Sequence, residues 1–162
     1  VSGTHDLGLV LLAVLIGMAA SYTALDVVGR MRAAPTRGSY VSWLAAAAFS
    51  LGGGIWAMHF VAMLAFSMPG LVVQYDLGLT ALSLLLAVAA VGIGFAVVGW
   101  PGSGLLALLV SGVFVGLGIA GMHYTGMAAM RMAAAIGYDL WWMALSVLVA
   151  VGASVTALWL AF

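Results

Sequence analysis

Five apolar runs, each of more than twenty residues, constrain this chain before anything else does. A helix needs roughly 20 apolar residues to cross the hydrocarbon core of a bilayer. The runs predict spans at Leu7–Val28, Tyr40–Phe66, Leu77–Gly99, Leu105–Met130 and Leu140–Phe162. They are continuous and do not alternate, which excludes the strands of a membrane β-barrel. Charge agrees with this reading: only 5% of the 162 residues are charged, against about 25% in an ordinary soluble domain. So few charges cannot cover a soluble surface, so a free-standing soluble fold is excluded. The expected fold class is all-α, a polytopic transmembrane helix bundle.

The charged residues are four Arg and four Asp, with no Lys, Glu or Cys. Without a basic patch, nucleic-acid binding is excluded as a function class. Without Cys there is no thiolate nucleophile, disulfide framework or zinc finger. Arg30, Arg32 and Arg37 cluster in the first predicted loop, and Arg131 lies on the opposite side. The positive-inside rule then places the first loop in the cytoplasm and the N-terminus outside. The first run lacks the basic flank and cleavage site of a signal peptide. The chain starts with Val, and is expected to be a piece of a longer protein.

A repeat organises the spans. His5-Asp6-Leu7, Tyr75-Asp76-Leu77 and Tyr138-Asp139-Leu140 each open a run of similar Leu/Val/Ala sequence. The first two are followed by partner spans containing Met58-His59-Phe60 and Met122-His123-Tyr124. The unit is a two-helix hairpin of about 60–70 residues, at roughly 5–70, 75–131 and 138–162. The chain is thus expected to be a single domain, 1–162, whose third hairpin has only its first helix. A sixth span with a third Met-His element is expected to be missing at the C-terminal end.

The three His carry the chemistry. His59 and His123 fall inside spans, about 10–15 Å below the outer surface at 1.5 Å per residue, and His5 lies at the outer interface. An ionisable residue inside a span usually faces protein and marks a site. Gly52, His59, Met63 and Phe66 share one helix face, and Gly116, His123, Met127 and Met130 repeat the spacing. Pseudo-symmetric hairpins would turn these faces toward one another. Imidazole with thioether suits copper, whereas magnesium and calcium want oxygen and zinc wants thiolate or more His. The candidate metal ligands are His59, His123, Met63 and Met127, with His5 as a further one. Met58 and Met122 stand roughly 100° from their neighbouring His and are weaker candidates.

Bland readings account for much of the rest. Most of the ten Met are core packing. Asp6, Asp76 and Asp139 fit helix N-caps, with second-shell orientation of a His as the alternative. Asp26 and Arg30 fit an i,i+4 ion pair. Trp56 sits too deep for an interfacial belt, so packing is expected. Pro69 and Gly70 are expected to end the second span. No phosphate loop, Ser-His-Asp arrangement or hydrolase-type carboxylate pair is visible, so the chain itself is not read as an enzyme.

The segments WAMHFVAMLAF (Trp56 to Phe66) and AGMHYTGMAAM (Ala120 to Met130) resemble the repeated signature of the MHYT domain, a bacterial integral-membrane sensor domain. ASYTALDVVGR (Ala20 to Arg30) resembles its first span, and the likeness covers essentially the whole chain. The second motif reads Met122-His123-Tyr124-Thr125, while the first carries Phe60-Val61 in the last two places. The resemblance implies six or more spans and copper held by Met and His near the outer face. It implies sensing of a diatomic gas (oxygen, carbon monoxide or nitric oxide), and fusion to cytoplasmic output domains, especially cyclic-di-GMP enzymes. Met58, His59 and Met63 match the first motif, Met122, His123 and Met127 the second, and His5 a position where His often opens the domain. The absent third motif is the departure from the pattern.

The expected function is therefore a sensory input domain of the bacterial inner membrane that binds copper and senses a gas or redox state. Its expected partners are the lipid bilayer, the gas and a fused cytoplasmic signalling domain. A homodimer is compatible with this, because output domains of these kinds often work as dimers. The alternative is a haem-binding or copper-dependent membrane redox protein, with the two His as axial ligands. A copper transporter would need ligands spaced through the bilayer, and the inner halves of the spans offer little beyond Asp26.

Overall fold

The computed structural model describes residues 4–67, 73–131 and 139–162. Within them lie five helices: α1 (Leu7–Arg32), α2 (Arg37–Ala65), α3 (Leu77–Val98), α4 (Leu105–Ala128) and α5 (Leu140–Ala161). All five are long and apolar enough to cross a membrane. The shortest have 22 residues, or about 33 Å at 1.5 Å per residue, enough for a hydrocarbon core of roughly 30 Å. The fold is the expected all-α bundle. The expected Pro69–Gly70 stop and Tyr138 fall outside the described residues.

The helix starts follow from capping. Asp6 accepts from the Gly8 and Leu9 backbone N–H groups, at 2.8 and 3.1 Å. Asp76 accepts from Leu79 at 3.0 Å and Asp139 from Trp141 at 2.8 Å. A helix start leaves its first N–H groups without an intrahelical partner, and one carboxylate per hairpin supplies it. Thr36 does the same for α2 through Ser39, at 3.1 Å. The first helix runs further than its apolar stretch suggested. Arg30 and Arg32 occupy its last turn and Arg37 opens α2, so only Arg-free residues connect the two helices. Two effects extend α1: cations are favourable at a helix C-terminus, and Arg30 Nε bonds Asp26 Oδ2 at 2.8 Å, the expected i,i+4 pair.

Hairpin closure is a feature that apolar periodicity did not predict. Short strand β1 (Thr4–His5) pairs antiparallel with β2 (Phe66–Ser67), and β3 (Gln74–Tyr75) with β4 (Met130–Arg131). Asp6 N–H bonds the Ala65 carbonyl at 2.9 Å, and Asp76 N–H bonds the Ala129 carbonyl at 2.8 Å. Each complete hairpin is thus laced at the same end by the same bonds. Two residues are too few to show a strand period, which is why only the structure reveals them.

The helices pack in chain order, α1 on α2, α2 on α3, α3 on α4 and α4 on α5. Van der Waals fit drives helix association in lipid, so small residues mark the crossings. A Cβ added to Gly52 of α2 would lie 2.8 Å from the Ala87 carbonyl oxygen and the Val88 Cα of α3. A Cβ on Gly116 of α4 would lie 2.5 Å from Val151 Cα of α5. Gly52 and Gly116 each precede the motif His by seven residues, so one crossing is used twice. At the Arg-bearing end, Val28, Met31, Val91, Phe95 and Leu158 build the buried core. Beside it an apolar cavity of about 450 Å³ opens among the helices, touching Val28, Met58, Phe95, Ile119 and Ser154.

The crossing contact generates a prediction. Gly116→Ala should destabilise the bundle by about 1–3 kcal/mol through overpacking, read as a lower thermal midpoint in detergent. Gly152→Ala, where an added Cβ meets nothing within 4 Å, should be neutral or stabilising because Ala is the better helix former. Equal behaviour of the two variants would contradict the close crossing.

Candidate metal centre

The two motif histidines meet. His59 of α2 and His123 of α4 face each other with Nδ1 atoms 3.4 Å apart and ring centroids 4.7 Å apart. They come from different hairpins, each seven residues beyond a close glycine crossing. A separation of 3.4 Å is long for a nitrogen hydrogen bond, which favours roughly 2.7–3.2 Å. The other nitrogen of His59, Nε2, is buried without a partner. Buried polar atoms are nearly always paired, so an imidazole with one long contact and one orphaned nitrogen is unusual.

Gly126 of α4 leaves room for that ring. A Cβ there would lie 3.0 Å from His59 Nε2. Sequence reasoning passed over Gly126, and its place three residues after His123 was the signal available. Aromatic rings flank the half-buried pair. Phe60 contacts His59 edge-on at 5.5 Å between centroids, and Tyr75 of β3 lies 5.7 Å beyond Phe60. Tyr124 contacts His123 edge-on at 5.0 Å.

The other predicted ligands distribute unevenly. Met63 and Met127 are half-buried one turn beyond their histidines, on the same helix faces. Met122 is buried at 1% exposure. Met58 departs from the expectation of a shared site. It lines the apolar cavity, and its Cγ lies 3.6 Å from where a Cβ of Gly17 in α1 would be. Its position roughly 100° around the helix from His59 is the cause. His5 also departs. It is exposed in β1, held there by the ladder to β2, with its ring 5.2 Å from Phe66. Among the described residues no three His, Cys, Asp or Glu gather into one group. What converges is two imidazoles, with thioethers one turn away.

An ion pair closes the rim beside this site. Asp76, the α3 cap, pairs with Arg131 of β4. The Leu79 backbone N–H, and after it the Arg131 guanidinium, hold the Asp76 carboxyl below the usual carboxylate range. A lowered folded-state pKa contributes stability above the unfolded value, near 3.9, that is lost as pH falls through the folded value. The thermal midpoint should therefore fall on acidification below about pH 4, and Asp76→Asn should show a shallower fall. Identical slopes in the two proteins would remove Asp76 from that linkage.

Comparison with known proteins bears on the same segments. The chain matches the MHYT family, "Bacterial signalling protein N terminal repeat", over residues 52–111 and 116–162. It is 49% identical over 154 residues to the bifunctional diguanylate cyclase/cyclic di-GMP phosphodiesterase MucR of Pseudomonas aeruginosa, covering 95% of this chain and 22% of that protein. It is 50% identical over 155 residues to the cyclic di-GMP phosphodiesterase NbdA of the same organism, covering 96% and 19%. The signaling protein YkoW of Bacillus subtilis is 31% identical over 159 residues, covering 96% and 19%. The chain thus spans about a fifth of the length of these relatives. No solved structure matches it.

Proposed function

Because this chain belongs to the MHYT family of bacterial signalling proteins, we propose that it is a membrane-embedded sensory input domain with copper at His59 and His123. The observation that carries the reading is the 3.4 Å approach of the two Nδ1 atoms. Two nitrogens bound to one ion at about 2.0 Å each stand roughly 3.3–4.0 Å apart, depending on the angle between them. The donor chemistry fits as well. Two imidazoles with the Met63 and Met127 thioethers nearby are a soft set suited to copper. The ring centroids lie 4.7 Å apart, a spacing that favours one shared ion over a haem macrocycle between the rings.

Bound copper would supply a redox-active centre able to take a diatomic gas. The chain's own residues do the rest. His59 belongs to the first hairpin and His123 to the second, so any change in their separation moves one hairpin against the other. A ligand that prefers one arrangement shifts the population toward it. Phe60 and Tyr124 pack edge-on against the pair, with Tyr75 beyond Phe60, and leave it partly buried. The Arg30–Arg37 end lies in the cytoplasm of the inner membrane, the N-terminus lies outside, and the signal passes to a fused output domain. The names of MucR and NbdA support cyclic-di-GMP turnover as that output.

The test is metal content together with copper-edge absorption on the purified protein. Stoichiometric copper with nitrogen and sulfur neighbours is expected, reduced to background in His59→Ala and in His123→Ala. Copper at a hundredfold excess over its dissociation constant should stabilise the fold by about 2.7 kcal/mol, an increment that both variants lose. Background copper in the wild type, or equal copper in all three proteins, would sink the reading.

A further inference from the structure

Two serines outside the site hold the same place in the repeat. Ser83 of α3 and Ser146 of α5 each follow the capping Asp of their helix by seven residues. Each hydroxyl donates to a carbonyl three residues earlier, Ser83 to Thr80 at 2.7 Å and Ser146 to Met143 at 2.8 Å. With its single proton so engaged, each serine oxygen is left as an acceptor. Both acceptors are used by the preceding hairpin. Trp56 of α2 donates its Nε1–H to Ser83 at 2.9 Å, and the Tyr124 hydroxyl of α4 meets Ser146 at 2.6 Å.

The two donors differ in residue type and position, yet the bond is conserved in form. Tyr124 follows His123 directly, whereas the corresponding residue after His59 is Phe60, which has no hydroxyl. The first hairpin makes its bond instead from Trp56, one turn earlier, where the second carries Ala120. Ring contacts then complete the series. Trp56 lies 4.8 Å from Phe60, which contacts His59, and Tyr124 contacts His123. A continuous row runs from Ser83 of α3 through the two imidazoles to Ser146 of α5.

We infer that Ser83 and Ser146 are positioning residues, which act through Trp56 and Tyr124 to set the helix rotation that aims His59 and His123 at each other. The consequence for metal binding rests on the copper reading above; the consequence for ring geometry does not. Lipid does not penalise exposure of an apolar face, so the glycine crossings leave small rotations of a helix about its axis open. A directional bond to the next hairpin removes that freedom. The serine-to-aromatic bond thus stands to the imidazole as an outer-shell partner stands to a ligand.

The experiment uses the whole 162-residue chain in lipid nanodiscs with ¹⁵N-labelled histidine. Tyr124→Phe keeps the ring and removes only the hydroxyl, so folding is retained. Ser146→Ala removes the acceptor, and Ser146→Thr restores a hydroxyl. Ser111→Ala is the control, because that buried hydroxyl makes no bond. In metal-free protein, Tyr124→Phe and Ser146→Ala should move the His123 imidazole resonances in the same way. The double variant should move them no further, Ser146→Thr should restore them, and Ser111→Ala should leave them in place. Copper affinity should fall about tenfold in the first two variants, toward the lower end of outer-shell effects. Unmoved imidazole resonances in Tyr124→Phe and Ser146→Ala would overturn the inference whether or not copper binds. Moved resonances in a wild type that takes up no copper would uphold it and overturn the copper reading alone.

Discussion

Lipid offers no hydrogen bonds, and the architecture depends on that constraint. Each polar group within a span must find its partner inside the protein or leave its bonding capacity unmet. The few polar side chains between the helix ends are therefore highly informative. Trp56 finds Ser83, Tyr124 meets Ser146, and Thr23 returns its hydroxyl to the Ala19 carbonyl. Among the described residues three buried side-chain atoms go unmatched, Ser111 Oγ, Ser154 Oγ and His59 Nε2, and His59 is the exception among these in that its Nδ1 also faces a second imidazole, at 3.4 Å. An environment this intolerant of unpaired groups makes that exception the natural place to look for a ligand.

Repetition does the assembling. The same three devices recur in successive hairpins: a capping Asp, a glycine crossing seven residues before the His, and a two-residue ladder that laces the hairpin shut. Lacing holds the two helix ends of a hairpin together, and the crossing fixes how deeply the next hairpin nests. His59 and His123 hold the same place relative to these devices, one in each hairpin. Their convergence needs no long-range code beyond the duplicated one.

Much of this was legible in the sequence, because lipid simplifies the rules. Span positions follow from apolar length, and the Asp caps and the Asp26–Arg30 pair follow from spacing alone. The matched faces of His59 and His123 were legible from the recurrence of Gly, His and Met at one interval. Direction within the bundle was harder to read. Met58 turns to the cavity and His5 stays on the rim with Phe66, because helix phase and strand pairing decide where a side chain points, and a residue list contains neither. The end of α1 was misplaced because arginine reads as loop in an apolar pattern, although it is favourable in a helix's last turn. The role of Gly126 required a partner helix to be visible.

The displaced donor has a consequence for how the two copies have diverged. Hairpins built on one repeat are exchangeable only while each carries its own complement of donors and acceptors. In the first, the indole of Trp56 is the donor and Phe60 has no hydroxyl; in the second, the phenol of Tyr124 takes that part beside a bare Ala120. Tyrosine at position 60 would bring a surplus hydroxyl into a half already served, and phenylalanine at 124 would leave a vacancy in the other. Exchanging one motif for the other therefore means exchanging two positions together, 56 with 60 or 120 with 124, which lie one helical turn apart.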